Sequence, residues 1–213
     1  MTEHHIEIKK TARYFTLGDL NTNTKQIWFV IHGWGMDARS FLSSFEPLLT
    51  KNIFFIAPEA LNRFYVKGSG GMVGATWMTR EDRLNEIKDY IAYLDGVYTQ
   101  FELAKYPGLG VTALGFSQGA STSTRWVTET RNKIDRLIVY AGEVAPELFP
   151  LNELSGLKKT KNFFICGKQD EYFTMPLLSK MKDAYQEMNF TEIEFEGKHV
   201  INTMALEYLT RHS

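Results

Sequence analysis

Several short stretches of this chain are almost wholly apolar and rich in β-branched or aromatic residues. They are Gln26–Ile31 (QIWFVI), Asn52–Ala57 (NIFFIA) and Asn162–Cys166 (NFFIC); Val111–Leu114 is a further short strand, and Ile134–Val139, which carries Asp135 and Arg136, reads as another. A strand with one wet face alternates polar and apolar side chains, whereas a strand covered on both faces need not. These runs predict a sheet held between two layers of helix, with parallel strands joined by long crossovers. The intervening sequence supplies the crossovers. Phe41, Leu42, Phe45 and Leu48-Leu49 form one apolar side, with Asp37 or Ser40 as the cap. Over Thr79–Phe101, Leu84, Ile87, Ile91, Leu94, Tyr98 and Phe101 recur at helical spacing, and Thr79 with Asp82 marks a start. Ala120–Thr130 and Met175–Met188 read as helices. So does the C-terminal segment, with Ile201, Met204, Leu206 and Leu209 on its apolar side. Thr191–Phe195 alternates like a further strand, and Ile6–Phe15 holds an edge strand. Leu61–Met78 reads as a long loop over one end of the sheet, and residues 146–161 read as mostly loop. Strands alternating with helices predict an α/β fold, a mostly parallel twisted sheet with helices on both faces.

No repeat, low-complexity tract or linker interrupts this pattern, so residues 1–213 are expected to form one domain. The net charge of −1 provides no field to gather nucleic acid or an anionic membrane. No run of apolar residues is long enough to span a bilayer, and MTEHHIEIKK lacks the apolar core of a signal peptide. Cys166 is the only cysteine, so no intramolecular disulfide can form. It lies in an apolar strand and reads as a buried, inert thiol. A cytoplasmic protein is expected. Its partner would be a small molecule rather than nucleic acid, without stable membrane insertion. The sequence does not decide between a monomer and a homodimer.

In open α/β sheets, binding sites form at the carboxyl ends of strands. The stretch Gly115-Phe116-Ser117-Gln118-Gly119 follows one such end and opens a helix. G-x-S-x-G in that context is a nucleophile elbow, a tight turn that presents a serine hydroxyl. Side chains two positions either way would collide, which accounts for both glycines. A serine hydroxyl is a poor nucleophile without a base. His199, after Thr191–Phe195, is the candidate base; His4, His5 and His212 lie at the termini. Asp170, after Asn162–Cys166, is the candidate acid that orients the imidazole, with Glu171 and Glu143 as rivals. His32-Gly33-Trp34-Gly35 lets the backbone approach a substrate carbonyl, so the N–H groups of Trp34 and Gln118 are candidate oxyanion donors. Met72, Val73 and Trp77, with Phe64, Tyr65 and Met78 nearby, are candidates for an apolar substrate wall; ordinary loop packing explains them equally well. Gly68–Gly74 is glycine-rich but has neither the last glycine of G-x-G-x-x-G nor the Lys-Ser/Thr of a P-loop. No His, Cys, Asp or Glu cluster has metal-ligand spacing, and the chemistry calls for no cofactor.

The run Ile31–Asp37, the elbow 115–119, and the later Asp170 and His199 resemble the α/β-hydrolase fold. The G-F-S-Q-G form and compact length are similar to the phospholipase/carboxylesterase family, which includes the acyl-protein thioesterases. The resemblance implies Ser117 as nucleophile, His199 as base and Asp170 as acid, at strand carboxyl ends. It implies oxyanion donors at Trp34 and Gln118. Three positions depart from the family pattern. Ala120 stands where a further glycine is common, Gly197-Lys198-His199 is one residue tighter, and the proline after Asp170 is displaced to Pro176. The expected activity is a serine carboxylesterase working through an acyl-enzyme on an ester or thioester. A thioesterase or lysophospholipase for long acyl chains is a second reading, and a non-catalytic binding protein on the same fold is a third.

Overall fold

The computed structural model describes residues 1–106, 108–149, 155–173, 181, 185, 186 and 188–211. Its main sheet has seven strands in the order β1-β3-β2-β6-β7-β8-β9. These are β1 (Tyr14–Leu17), β2 (Gln26–Ile31), β3 (Ile53–Pro58), β6 (Gly110–Phe116), β7 (Arg136–Tyr140), β8 (Lys161–Gly167) and β9 (Thr191–Phe195). All neighbouring pairs run parallel except β1 with β3. The apolar runs are the central strands, each residue of β2, β3 and β7 being buried.

Alternation along β2 divides the core between the two faces. Ile27, Phe29 and Ile31 join one cluster with Ile87, Tyr90, Ile91 and Leu94 of α2 (Arg83–Gln100) and Trp126 of α3 (Gln118–Glu129). Trp28 and Val30 join the other, with Phe41 and Leu42 of α1 (Ala38–Ser43) and Leu206 and Leu209 of the C-terminal helix. That helix is α5 (Thr203–Arg211), and the short α4 (Ser155–Lys158) lies between β7 and β8. Asp37 caps α1 by accepting the Ser40 N–H at 2.9 Å. At the other end of the sheet, buried Arg136 donates to Leu209 O at 2.6 Å and Gln26 donates to Thr210 O at 2.7 Å. Both satisfy carbonyls of the last turn of α5, which would otherwise lack partners.

Five sequence expectations are corrected. Leu61–Met78 is not a loop but contains an antiparallel hairpin, β4 (Asn62–Tyr65) and β5 (Val73–Thr76). The N-terminal edge strand begins only at Tyr14. Helix α2 starts at Arg83 rather than Thr79, because the Glu86 carboxylate turns back to accept the Thr79 N–H at 2.6 Å and the Asn62 amide at 2.7 Å. Leu84 is consequently 69% exposed, and Tyr90 and Val97 fill the buried face. On α5, Met204 faces solvent while Leu206 and Leu209 are buried. Within 146–161, a 3-10 turn at Pro146–Leu148 and α4 break the expected loop. Most of the helix expected over Met175–Met188, with Pro176, and also His212, lie outside the described residues.

Candidate active site

Ser117 follows the central strand β6 and precedes α3, at φ 54° and ψ −119°. This is a region that L side chains rarely adopt. The turn is fixed from below, since the Ser117 N–H donates to Tyr140 O at 2.9 Å. It also needs its glycines. A Cβ on Gly115 would stand 2.1 Å from Gly119 O, and one on Gly119 would stand 2.1 Å from Ile31 O. Ala120, at a position where glycine is common, is fully buried. Its methyl fits because Gly142 opposite has none; a Cβ there would lie 2.4 Å from Ala120 Cβ and from Ser117 O.

Asp170 and His199 meet across strands β8 and β9. His199 Nδ1 lies 2.8 Å from Asp170 Oδ2, and the Tyr172 N–H donates to the other oxygen, Oδ1, at 3.0 Å. The Asp170 side chain is wholly buried. An acceptor on Nδ1 means that this nitrogen carries the proton in the neutral ring, leaving the Nε2 lone pair to accept another. The rivals Glu171 and Glu143 take no part in this pair. The tight Gly197-Lys198-His199 turn is accommodated by backbone pairing. Lys168 N–H donates to Phe195 O and Gln169 N–H to Gly197 O, both at 2.9 Å, and a Cβ on Gly167 would be 2.3 Å from Gly197 O. The imidazole sits between two rings, Phe116 at 4.8 Å and Tyr172 at 4.6 Å between centroids. Phe116 directly precedes Ser117, so the pair is brought to the elbow. Beyond it, the Tyr140 hydroxyl accepts the Asn202 N–H at 2.8 Å and holds the segment that follows His199.

The His32–Gly35 loop abuts the elbow from the other side. A Cβ on Gly33 would be 3.1 Å from Ser117 Cβ. Among the described residues, neither the Trp34 N–H nor the Gln118 N–H has a hydrogen-bond partner. The second belongs to the first turn of α3, where the helix itself offers no acceptor. Two unpaired donors beside a serine can hold a developing oxyanion.

The hairpin is docked on this loop. Gly35 N–H donates to Ala75 O and Ala75 N–H to Met36 O, both at 2.9 Å. A Cβ on Gly74 would be 2.0 Å from Gly35 O, so the glycine-rich stretch provides close backbone contact rather than a phosphate cradle. Phe64 packs on Trp34 at 5.3 Å, and Trp34 itself is 58% exposed. Met72 and Val73 are exposed on the same hairpin. Trp77 is the exception among the expected wall residues. It is 1% exposed in the core, its ring 5.2 Å from His32 and its Nε1–H donating to His32 O at 2.9 Å. It packs as an anchor beneath the loop and presents no surface to a substrate.

Two contributions had no sequence signal, because they depend on contacts remote in the chain. The Gln118 amide clamps the segment after β5: its Oε1 accepts the Trp77 N–H at 3.2 Å, and its Nε2 donates to Met78 O at 2.9 Å. His32, fully buried, bonds through both ring nitrogens, to Gly33 O at 2.8 Å and from the Ala60 N–H at 3.1 Å. Burial holds its pKa below the ordinary 6.5.

Behind the clamp, Arg125 donates to Tyr90 Oη at 3.2 Å and pairs with Glu147, which Arg83 reaches at 2.7 Å. Partial burial works against the Glu147 carboxylate. The hydrogen bonds from Arg125 and Arg83 outweigh it and lower the pKa from 4.5 to about 2. The folded state therefore binds this proton less tightly than the unfolded chain. The contribution to stability is complete above about pH 4.5 and is lost as pH falls toward about 2. The urea midpoint of the wild type is expected to fall more steeply across that window than that of Glu147→Gln. Parallel slopes would show that Glu147 is not the linked group.

A mostly parallel sheet with a strained serine turn after its central strand defines an α/β hydrolase. The model of one family, Phospholipase/Carboxylesterase, matches residues 20–212, and the chain belongs to that family and is a hydrolase. Several solved structures share the fold. Esterase PE8 superposes with a TM-score of 0.67 at 20% identity, over 95% of this chain and 97% of that one. Zea mays acyl-protein thioesterase 2 gives 0.67 at 17%, over 94% and 97%. The Dyadobacter fermentans phospholipase/carboxylesterase gives 0.67 at 17%, over 97% and 98%. At these identities the likeness speaks for the fold alone. No curated protein matches the chain.

Proposed function

We propose that this hydrolase is a serine carboxylesterase that cleaves small-molecule esters through an acyl-enzyme on Ser117. The observation that carries the reading is the 2.8 Å contact of His199 Nδ1 with buried Asp170, which leaves Nε2 as the basic nitrogen of a ring packed on Phe116, the residue before Ser117. Ser117 Oγ attacks the acyl carbon and its proton passes to His199 Nε2. The carbonyl oxygen becomes an oxyanion held by the N–H groups of Trp34 and Gln118. Collapse expels the alcohol or thiol, which takes the proton from His199. Water then attacks the acyl-enzyme and gives its proton to His199, and a second collapse frees the acid while His199 returns that proton to Ser117 Oγ. Every proton and electron pair comes from substrate, water or these side chains. The unsplit sheet supports one domain over residues 1–213, and a lone, buried Cys166 suits a cytoplasmic setting.

A thioesterase or lysophospholipase for longer acyl chains is the second reading. It is favoured by exposed apolar side chains: Trp34, packed on Phe64; Met72 and Val73, on the hairpin docked on its loop; and Tyr172, beside His199. Rapid, stoichiometric labelling of Ser117 by a fluorophosphonate probe is expected, because only an activated serine reacts quickly. A protein that stays unlabelled while other serine esterases react is a binding protein, and the enzymatic reading fails. A series of esters and thioesters of increasing acyl length then separates the two enzymatic readings.

A further inference from the structure

We propose that His32 is a positioning residue for the oxyanion hole, acting through the orientation of the peptide between Gly33 and Trp34. The inference rests on the acyl-transfer reading above. The Ala60 N–H can only donate, so the ring nitrogen it meets at 3.1 Å, Nε2, is the acceptor. The neutral ring must then carry its proton on Nδ1, which donates to Gly33 O at 2.8 Å. That same carbonyl accepts the Met36 N–H at 3.4 Å. Carbonyl and N–H point in opposite directions across a trans peptide. Fixing the Gly33 carbonyl toward the buried ring therefore fixes the Trp34 N–H away from it. That N–H has no partner among the described residues, and the loop carrying it lies against Ser117.

The ring is itself immobilised. It is fully buried, packed 5.2 Å from Trp77 and 6.4 Å from Phe41. Trp77 locks the His32 backbone through its Nε1–H and is clamped in turn by the Gln118 amide. The residue after the nucleophile thus holds the Trp77 segment, which holds His32, which aims the opposing donor. A rotated Gly33–Trp34 peptide would present a carbonyl oxygen to the oxyanion in place of a donor. Aiming the donor beforehand removes that reorganisation from the reaction.

Two near-isosteric variants separate aiming from packing. In His32→Asn the side-chain amide can occupy the Nδ1 position and donate to Gly33 O, but nothing replaces Nε2. In His32→Gln the terminal amide reaches the Nε2 position and can accept from Ala60, but the donor at Nδ1 is lost. The expected result is a fall in kcat of about 10²-fold for His32→Gln, with KM within about threefold, as for loss of one oxyanion donor. Affinity for a trifluoromethyl ketone, which forms a tetrahedral oxyanion on serine, should fall in parallel. His32→Asn should keep kcat within about fivefold although it too loses one ring contact. Equal losses in both variants, or loss in neither, overturn the proposal. Should His32→Gln not fold, the ring ¹⁵N spectrum of the wild type is decisive: a protonated Nδ1 and bare Nε2 support the proposal, and the other tautomer overturns it. Failure of the wild type to take up the trifluoromethyl ketone would instead reject the acyl-transfer reading itself, and this proposal with it.

Discussion

Ser117→Ala is expected to lower kcat for ester hydrolysis by roughly 10⁴-fold or more and to leave the fold intact. When a nucleophile that works as a unit with its base is removed, only binding and the oxyanion donors remain, and these give a small residue of the rate. A variant keeping more than a tenth of wild-type turnover would sink the nucleophile assignment. Stability gives an independent check on the same residue. Ser117 lies at φ 54°, where a Cβ is strained at a cost of order 1–3 kcal/mol. Alanine inherits that strain, so Ser117→Ala should unfold close to the wild-type midpoint. Glycine releases it, and the greater freedom of the unfolded chain offsets part of the gain. Ser117→Gly should therefore be about 1 kcal/mol more stable than Ser117→Ala, with both inactive. Denaturant titration of the two variants measures this. Equal stabilities would mean that the elbow stores no more strain than the entropy that glycine loses on folding.

The sheet was legible because its central strands are buried on both faces, and an almost wholly apolar run such as QIWFVI has few other uses in a chain of this composition. The elbow was legible because its requirements are local: two glycines and a serine, after a strand and before a helix. The hairpin was not. Each of its strands is four residues long, and β5 contains Gly74, whose role is to let the backbone of Gly35 approach. A residue chosen for its missing side chain reads as a loop signal wherever its partner is distant in sequence. The role of Trp77 was hidden for a related reason. A large aromatic beside a glycine-rich stretch looks available to a ligand, and only the contact with His32, 45 residues earlier, shows that it is enclosed. Leu84 departs from the apolar pattern because it lies at a helix end, where the periodicity runs past the point at which Glu86 folds back on Thr79. The chain order of Ser117, Asp170 and His199 could be read from sequence, but their approach depends on the order of β6, β8 and β9 in the sheet.

Asp170→Asn is expected to lower kcat by about 10³–10⁴-fold with little change in KM. The substitution barely alters volume, and the amide oxygen can still accept the Tyr172 N–H that now meets Oδ1 at 3.0 Å. What changes is the group facing His199. The carboxylate Oδ2 accepts the Nδ1 proton at 2.8 Å, whereas an amide nitrogen in that position donates and requires Nδ1 to be the acceptor. The neutral ring then moves its proton to Nε2, the nitrogen that receives the Ser117 proton in the proposed acyl transfer. It can no longer act as base, and no negative charge remains to stabilise an imidazolium. Burial strengthens the effect, since the Asp170 side chain is fully enclosed and no solvent can substitute for the lost acceptor. Steady-state kinetics and the His199 ring ¹⁵N shifts should change together: slow turnover with a protonated Nε2. Turnover within tenfold of wild type would show that Asp170 does not orient the base, whereas slow turnover with an unchanged Nδ1–H tautomer would show that it acts through charge alone.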